Sequence, residues 1–206
     1  HVQRAFTTLA DFNFLTAPAD SAAVTEDGAV AARLGIDLSL AKMVLYGCRL
    51  GVGKEAVCMA AALSQQELPF RVASPFVHST SQITDIVHAT VPGQDFFDAG
   101  LCSVPLMLLR VMAWYRQQQQ QQRSWQRGKH SSLFARLAEF GLVHARLRQL
   151  DHACAALETR LHSPTAAGRG GGRRSAAVDL RAAPLQDILS CPVTICKLRL
   201  ALVWSC

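Results

Sequence analysis

The sequence predicts a mostly α-helical chain that carries one small β wing near its start. Three observations support this. Apolar residues recur three and four apart through several long segments. Capping and breaking residues (Asp37, Ser103, Gly35, Gly51) stand at the ends of those segments. Only residues 14–25 read as a pair of short strands joined by a turn-rich stretch.

In order along the chain, residues 2–13 place Val2, Phe6, Leu9 and Asn13 at helical spacing, flanked by Ala5 and Phe12. Phe14-Leu15 and Ala22–Thr25, separated by Thr16–Ser21, predict the hairpin. Helix followed by hairpin is the tail of a winged-helix unit, giving a partial unit over 1–27. Gly28–Leu34 is a short helix ended by Gly35. Asp37 is placed to cap Leu38–Leu50, whose Leu40, Ala41, Val44, Leu45 and Cys48 form one stripe. Gly51-Val-Gly53 breaks the chain before the helix Lys54–Ser64, where Ala60–Ala62 are small on successive faces and allow close packing. Pro69, Pro75 and Pro92 predict a looser stretch over 65–100. Ser103 is a good cap, Pro105 is tolerated in a first turn, and Leu106–Tyr115 follows as a largely apolar helix. Gln117–Gln122 either extends it or leaves it as a loop. Residues Ser132–Leu161 predict a long helix, with Leu133, Leu137, Phe140, Val143, Leu147, Leu150, Cys154, Leu157 and Leu161 three or four apart. The helical bundle thus covers 28–161. Gly168–Arg174 marks a flexible insert over 162–184, and an apolar tail follows over 185–206.

Charge is unevenly distributed. Residues 1–100 carry 6 basic and 10 acidic groups, net −4; residues 101–206 carry 15 basic and 5 acidic, net +10. A basic half points to an anionic partner such as RNA, DNA or a phosphate-rich surface. No apolar run reaches the roughly 18 residues that cross a bilayer, so no membrane partner is expected. Residue 1 is His and no charged-then-apolar leader follows it, so the sequence is expected to begin inside a longer chain. The seven cysteines are odd in number, contain no C-x-x-C pair and mostly sit among apolar neighbours. They predict buried reduced thiols in an intracellular protein, in nucleus, cytoplasm or mitochondrion.

Candidate chemistry is sparse. Gly51-Val-Gly-Lys54 resembles the end of a phosphate loop, but Cys48 stands where the first glycine belongs and Glu55 replaces the hydroxyl that holds magnesium. It reads as a turn between helices. His144 and His152 lack a third ligand nearby, and no nucleophile elbow is present, so neither a metal site nor a catalytic residue is predicted. The basic residues say more. Arg110, Arg116, Arg123, Arg127, Lys129, Arg136, Arg146 and Arg148 are interleaved with Trp114, Tyr115 and Trp125. Guanidinium groups contact phosphates and aromatic faces stack bases. The plainer reading is a solvated helix face with its aromatics in the core.

The stretch Val24–Phe70 resembles the helicase-associated region of DEAH-box RNA helicases. The family pattern runs Leu-Thr, Leu-Gly, Leu-Pro-x-Asp, Lys-Met-Leu, Gly-x-x-x-Gly-Cys, Ala-Ala-x-Leu-Ser and Pro-Phe. The matching residues here are Val24-Thr25, Gly28, Gly35-Ile36-Asp37, Lys42-Met43-Val44-Leu45, Gly47, Gly51, Ala61-Ala62-Leu63-Ser64 and Pro69-Phe70. Residues 2–16 are similar to the last helix of the family's winged-helix domain. Residues 103–116 are similar to its Ser-Asp-His-Leu helix ending in Ala-Trp, with Val104-Pro105 in place of Asp-His. Phe140–Leu161 resembles the long ratchet helix, and Ile195–Cys206 the lead-in to an oligonucleotide-binding fold.

The resemblance implies a ratchet-like helical bundle that helps enclose single-stranded RNA beside two RecA-like motor domains. Those motors, with their ATP and magnesium, are absent from these 206 residues, so this chain is expected to hold no cofactor itself. Ser103 is the carried-over RNA contact, followed by Arg110 and Arg116 on the same helix and then by Arg146 and Arg148. Two functions stay open: an RNA channel wall that couples motor movement to strand translocation, and a non-catalytic ribonucleoprotein scaffold. A further alternative is a helicase paralogue whose C-terminal module mainly recruits an activator protein.

Overall fold

Small side chains decide how this chain packs. The structure is a computed structural model describing residues 1–124, 133–163 and 191–205. Among these residues it forms nine helices: α1 (Val2–Asp11), α2 (Glu26–Leu34), α3 (Leu38–Arg49), α4 (Gly53–Leu63), α5 (Thr80–Asp98), α6 (Val104–Ser124), α7 (Leu133–Glu139), α8 (His144–His162) and α9 (Pro192–Ser205). Nine of the 11 residues of α4 are buried, on all sides of the helix. Helices α3, α6, α8 and α9 pack around it, while α2 bridges α3 and α8 and α5 lies against α6 and α7. A side chain on Gly47 of α3 would bring its Cβ within 2.3 Å of the Ala56 Cβ on α4, so the close approach of these two helices requires glycine. Around this contact Leu34, Met43, Met59, Leu106, Leu109, Met112 and Leu147 are fully buried, each worth about 1.5–3 kcal/mol relative to exposure.

The predicted helices at 2–13, 28–34, 38–50 and 54–64 are present with end shifts of a residue or two. Asp37 caps α3 by accepting the Ser39 N–H at 2.9 Å, and bonds from Ser39 hold its carboxyl below the usual range. Thr25 caps α2 through the Gly28 N–H at 3.0 Å, and Gly35 ends it in the left-handed region.

Three predicted elements differ, and the glutamine run, which the sequence leaves open as helix or loop, is helix. The β wing is a single antiparallel bridge, Leu15 to Val24, and no longer strand occurs among the described residues. Asn13 at φ 60° and the start of α2 just after Thr25 stop the ladder at its open end, and the turn between Thr16 and Ala23 closes the other. The looser stretch predicted over 65–100 contains the 19-residue helix α5. A capping box of Ser79 and Gln82 starts α5, Ala99 at φ 45° ends it, and Pro92 lies inside it on the solvent side. One proline removes one helical N–H; the capped start and the burial of Phe97 near the end hold the helix through that loss. The glutamine run continues α6. The long helix predicted over 132–161 is two helices, because Gly141 at φ +63° turns the chain so that Pro69–Arg71 can pair with Gly141–Val143. A Cβ at Gly141 would meet Thr90 Oγ1 at 2.5 Å.

Within the tail, residues 192–205 form α9, which lies on α3 and α4. The insert sequence Gly168–Arg174 and residues Trp125, Arg127 and Lys129 lie outside the described residues. No described helix is long and apolar enough to cross a membrane.

Two measurements check this packing. Gly47→Val should lower stability by about 1–3 kcal/mol in urea denaturation, as overpacking of a tight contact does. Glu55, 2% exposed, has an Oε1 without a partner among the described residues, and burial holds its carboxyl above the usual range. A raised carboxyl costs stability as pH rises past its unfolded value and costs nothing below it. Glu55→Gln should therefore raise the urea midpoint at pH 7 and leave it unchanged near about pH 4.

Candidate nucleic-acid interface

The five candidate contacts, Ser103, Arg110, Arg116, Arg146 and Arg148, occupy three separate places. The first is the turn between α5 and α6, where Ala99, Gly100 and Cys102 all adopt positive φ. This turn lets the Asp98 carboxylate accept the N–H groups of Cys102 at 3.0 Å and Ser103 at 3.1 Å. These bonds, with the positive charge of Arg110 as a smaller contribution, hold Asp98 below the usual carboxylate range. The Ser103 carbonyl accepts the Met107 N–H at 2.9 Å, which places Ser103 at the start of α6. Ser103 thus donates its N–H to an acidic residue at a helix N-terminus, where backbone N–H groups favour an anion, and Arg110 adds a smaller favourable charge.

The second place is the flank shared by α6 and α8. Arg116 forms an ion pair with Asp151, Nε to Oδ1 at 2.8 Å, both side chains being about one-third exposed. Arg148 is exposed and has no ion pair among the described residues. Its charge reaches the buried Tyr115, whose hydroxyl is raised first by burial. Tyr115 also lies against His144, ring centroids 6.0 Å apart.

The third place is the opposite flank of α8. Arg146 pairs with Glu67 at 2.5 Å and donates to the carbonyls of Leu68 at 3.1 Å and Phe70 at 2.6 Å. It straps the 67–70 segment to α8, beside the Phe70–Leu142 bridge.

The aromatic residues interleaved with these arginines are turned to packing. Trp114 stacks edge-on with Phe97 at 5.7 Å and Phe140 at 5.4 Å, in a cluster that also holds Phe70 and Phe96. Tyr115 is fully buried. Arg136 reaches Gln118 at 2.5 Å, and Arg160 donates to the Leu34 carbonyl at 2.8 Å. The acidic partners Glu67, Asp98 and Asp151 carry no periodic signal of their own in the sequence. They are found only when folding brings each beside a cation or an amide.

The Gly51–Lys54 turn joins α3 to α4, with Gly51 at φ +75° and Val52 as the cap residue. With Glu55 buried beside it, this turn does not fit a nucleotide phosphate. Among the described residues, no group of three or more His, Cys, Asp and Glu is placed to hold a metal. The six described cysteines are free. Cys58 and Cys154 are buried as predicted, but Cys102 and Cys196 are exposed because they lie on a turn and on the outer face of α9. Burial pushes Cys48 to about 11; Cys58 is pushed well above the thiol range by its hydrogen bond to Cys154 and then by burial.

This geometry separates two arginines two residues apart. Arg146→Met should cost about 1.5–3 kcal/mol in urea denaturation, because it abandons two carbonyls and a carboxylate. Arg148→Met should stay within about 0.5 kcal/mol of the parent chain.

Comparison with known proteins bears on what this arrangement serves. The family model described as helicase associated domain (HA2), ratchet-like, matches residues 37–139, half of the chain. That span runs from the Asp37 cap through α3 to α7, and includes the Asp98–Ser103 turn with Arg110 and Arg116. No curated protein and no solved structure matches the chain. On the family match, which covers α3 to α7 and with them the buried helix α4, the chain belongs to the helicase-associated (HA2), ratchet-like family.

Proposed function

We propose that this chain is the C-terminal helicase-associated region of a DEAH-type RNA helicase. In this reading it forms part of the wall of a channel for single-stranded RNA and passes the movement of ATP-driven motor domains to the strand. The observation that carries the reading is the family match over residues 37–139, joined to a +10 second half in which Arg148 is exposed and unpaired among the described residues. ATP and magnesium would be held by RecA-like motor domains of the parent chain, since the Gly51–Lys54 turn does not fit them. The chain's own residues would act by position and charge. The bundle around α4 would move as one body, because its small-residue contacts leave no room to shear. Arg148, exposed, and Arg110, half-buried near Asp98, would hold phosphates, with Ser103 at the start of the helix that carries Arg110. Arg116 and Arg146 would steady α6 and α8 through Asp151 and Glu67, and reach RNA only by exchanging those partners.

A ribonucleoprotein scaffold or activator-binding module is the second reading. It is favoured by exposed apolar side chains at Phe76 and Val77, 96% and 77% exposed, which suit a protein surface better than a phosphate.

Fluorescence anisotropy with a labelled single-stranded twelve-uridine RNA tests the first reading. The affinity should fall with salt by about 0.7 log units per log unit of salt for each phosphate neutralised. Arg110→Ala/Arg148→Ala should lower that slope by about 1.4 and weaken binding without shifting the melting temperature. An affinity indifferent to salt, or a double variant that binds like the parent chain, would reject the channel-wall reading.

A further inference from the structure

Residues Pro69–Arg71 run antiparallel to Gly141–Val143, joined by the Arg71 N–H to the Gly141 carbonyl at 2.7 Å and the Val143 N–H to the Pro69 carbonyl at 2.8 Å. The chain then continues to Ser74 without helix, turn or bridge. Among the described residues, neither the N–H nor the carbonyl of Val72 or Ala73 has a hydrogen-bond partner. In an antiparallel pair, alternate residues direct their backbone groups to opposite edges. Since Pro69 and Arg71 face Gly141–Val143, the groups of Val72 belong to the outer edge, and the Val72 side chain is 66% exposed. An unpaired backbone edge of this kind is a template for another strand.

Beside that edge lies a groove of about 490 Å³, enclosed by the 71–78 segment, the first half of α5 and the start of α8. Its apolar part comprises Val72, Ile86 and Val143, and its charged rim Arg71, Arg146 and Asp85. Arg146 is shared with Glu67, whereas Arg71 is exposed and its side chain has no bonded partner among the described residues. Arg71 therefore offers an unshared cation where the unpaired edge begins, with Asp85 on the α5 side of the rim. An RNA strand would answer the charge but not the unpaired edge or the apolar part; an extended peptide answers all three.

We propose that this groove docks an extended acidic peptide segment of a partner protein. The segment pairs with the outward N–H and carbonyl of Val72, beside the Phe70 carbonyl that Arg146 already holds, sets a carboxylate against Arg71 and lays an apolar side chain over Ile86 and Val143. The site is distinct from the Arg110 and Arg148 surfaces and can fail or succeed without them.

The experiment titrates the complete 206-residue chain, labelled with ¹⁵N, with a fluorescein-tagged heptapeptide of alternating Glu and Val, capped at both ends. The control replaces each Glu with Lys. The proposal expects amide shifts at Val72, Ala73 and Ile86, preference for the Glu peptide, and a loss of about tenfold in affinity on Arg71→Glu with an unchanged melting temperature. A Glu peptide with N-methyl groups on alternate residues should bind more weakly, because it cannot complete the ladder. The proposal is overturned by absence of binding, by equal binding of the Lys peptide, or by an affinity that Arg71→Glu leaves unchanged. It is also overturned if twelve-uridine RNA displaces the peptide and itself depends on Arg71, which would make the groove a nucleic-acid surface.

Discussion

The close contact of Gly47 with Ala56 is the constraint on which the rest of the structure depends. It draws α3 against α4, and the alanines along α4 let α6, α8 and α9 approach from its other sides. A helix buried all round brings almost no polar side chains with it, and Glu55 is the exception at its first turn. Larger side chains on α4 would push its neighbours outward and separate Arg116 from Asp151 and Arg146 from the 67–70 segment. The geometry of the candidate interface is thus a consequence of small-residue packing some distance beneath it.

The charged surface shows how a basic sequence is partly consumed by its own fold. Of the five candidate contacts, Arg116 is paired with Asp151 and Arg146 with Glu67, while Ser103 and Arg110 sit beside Asp98. Arg148 alone among them is both exposed and unpaired within the described residues. A charge count over residues 101–206 therefore overstates the positive field at any one place, because acidic residues distant in sequence return to it. The same folding turns Trp114 and Tyr115 inward, into an aromatic cluster and a buried hydroxyl, and removes them as platforms for bases.

Much of this was readable from local signals. Asp37 and Gly35 mark their helix ends because a side-chain acceptor and a left-handed residue satisfy amides and carbonyls that a helix leaves open. The family resemblance over Val24–Phe70 lies on such local features, and the family match begins at Asp37. The misjudged elements are those in which a local signal met a tertiary one. Pro92 reads as a breaker, yet the capping box at Ser79 and Gln82 and the burial of Phe97 carry α5 past it. The spacing from Leu133 to Leu161 reads as unbroken helix, yet Gly141 leaves it to pair with Pro69–Arg71.

By itself the sequence determined the helical class, most helix boundaries, the family and the concentration of positive charge, because caps, glycine and apolar period act within a few residues of chain. Only the tertiary structure decided which arginines remain open to a partner, which aromatics enter the core and where α8 begins. Those outcomes depend on residues brought together from far apart, Asp151 to Arg116 across 35 positions and Glu67 to Arg146 across 79. No periodicity along the chain encodes such a meeting, since it is set by the packing of whole helices around α4.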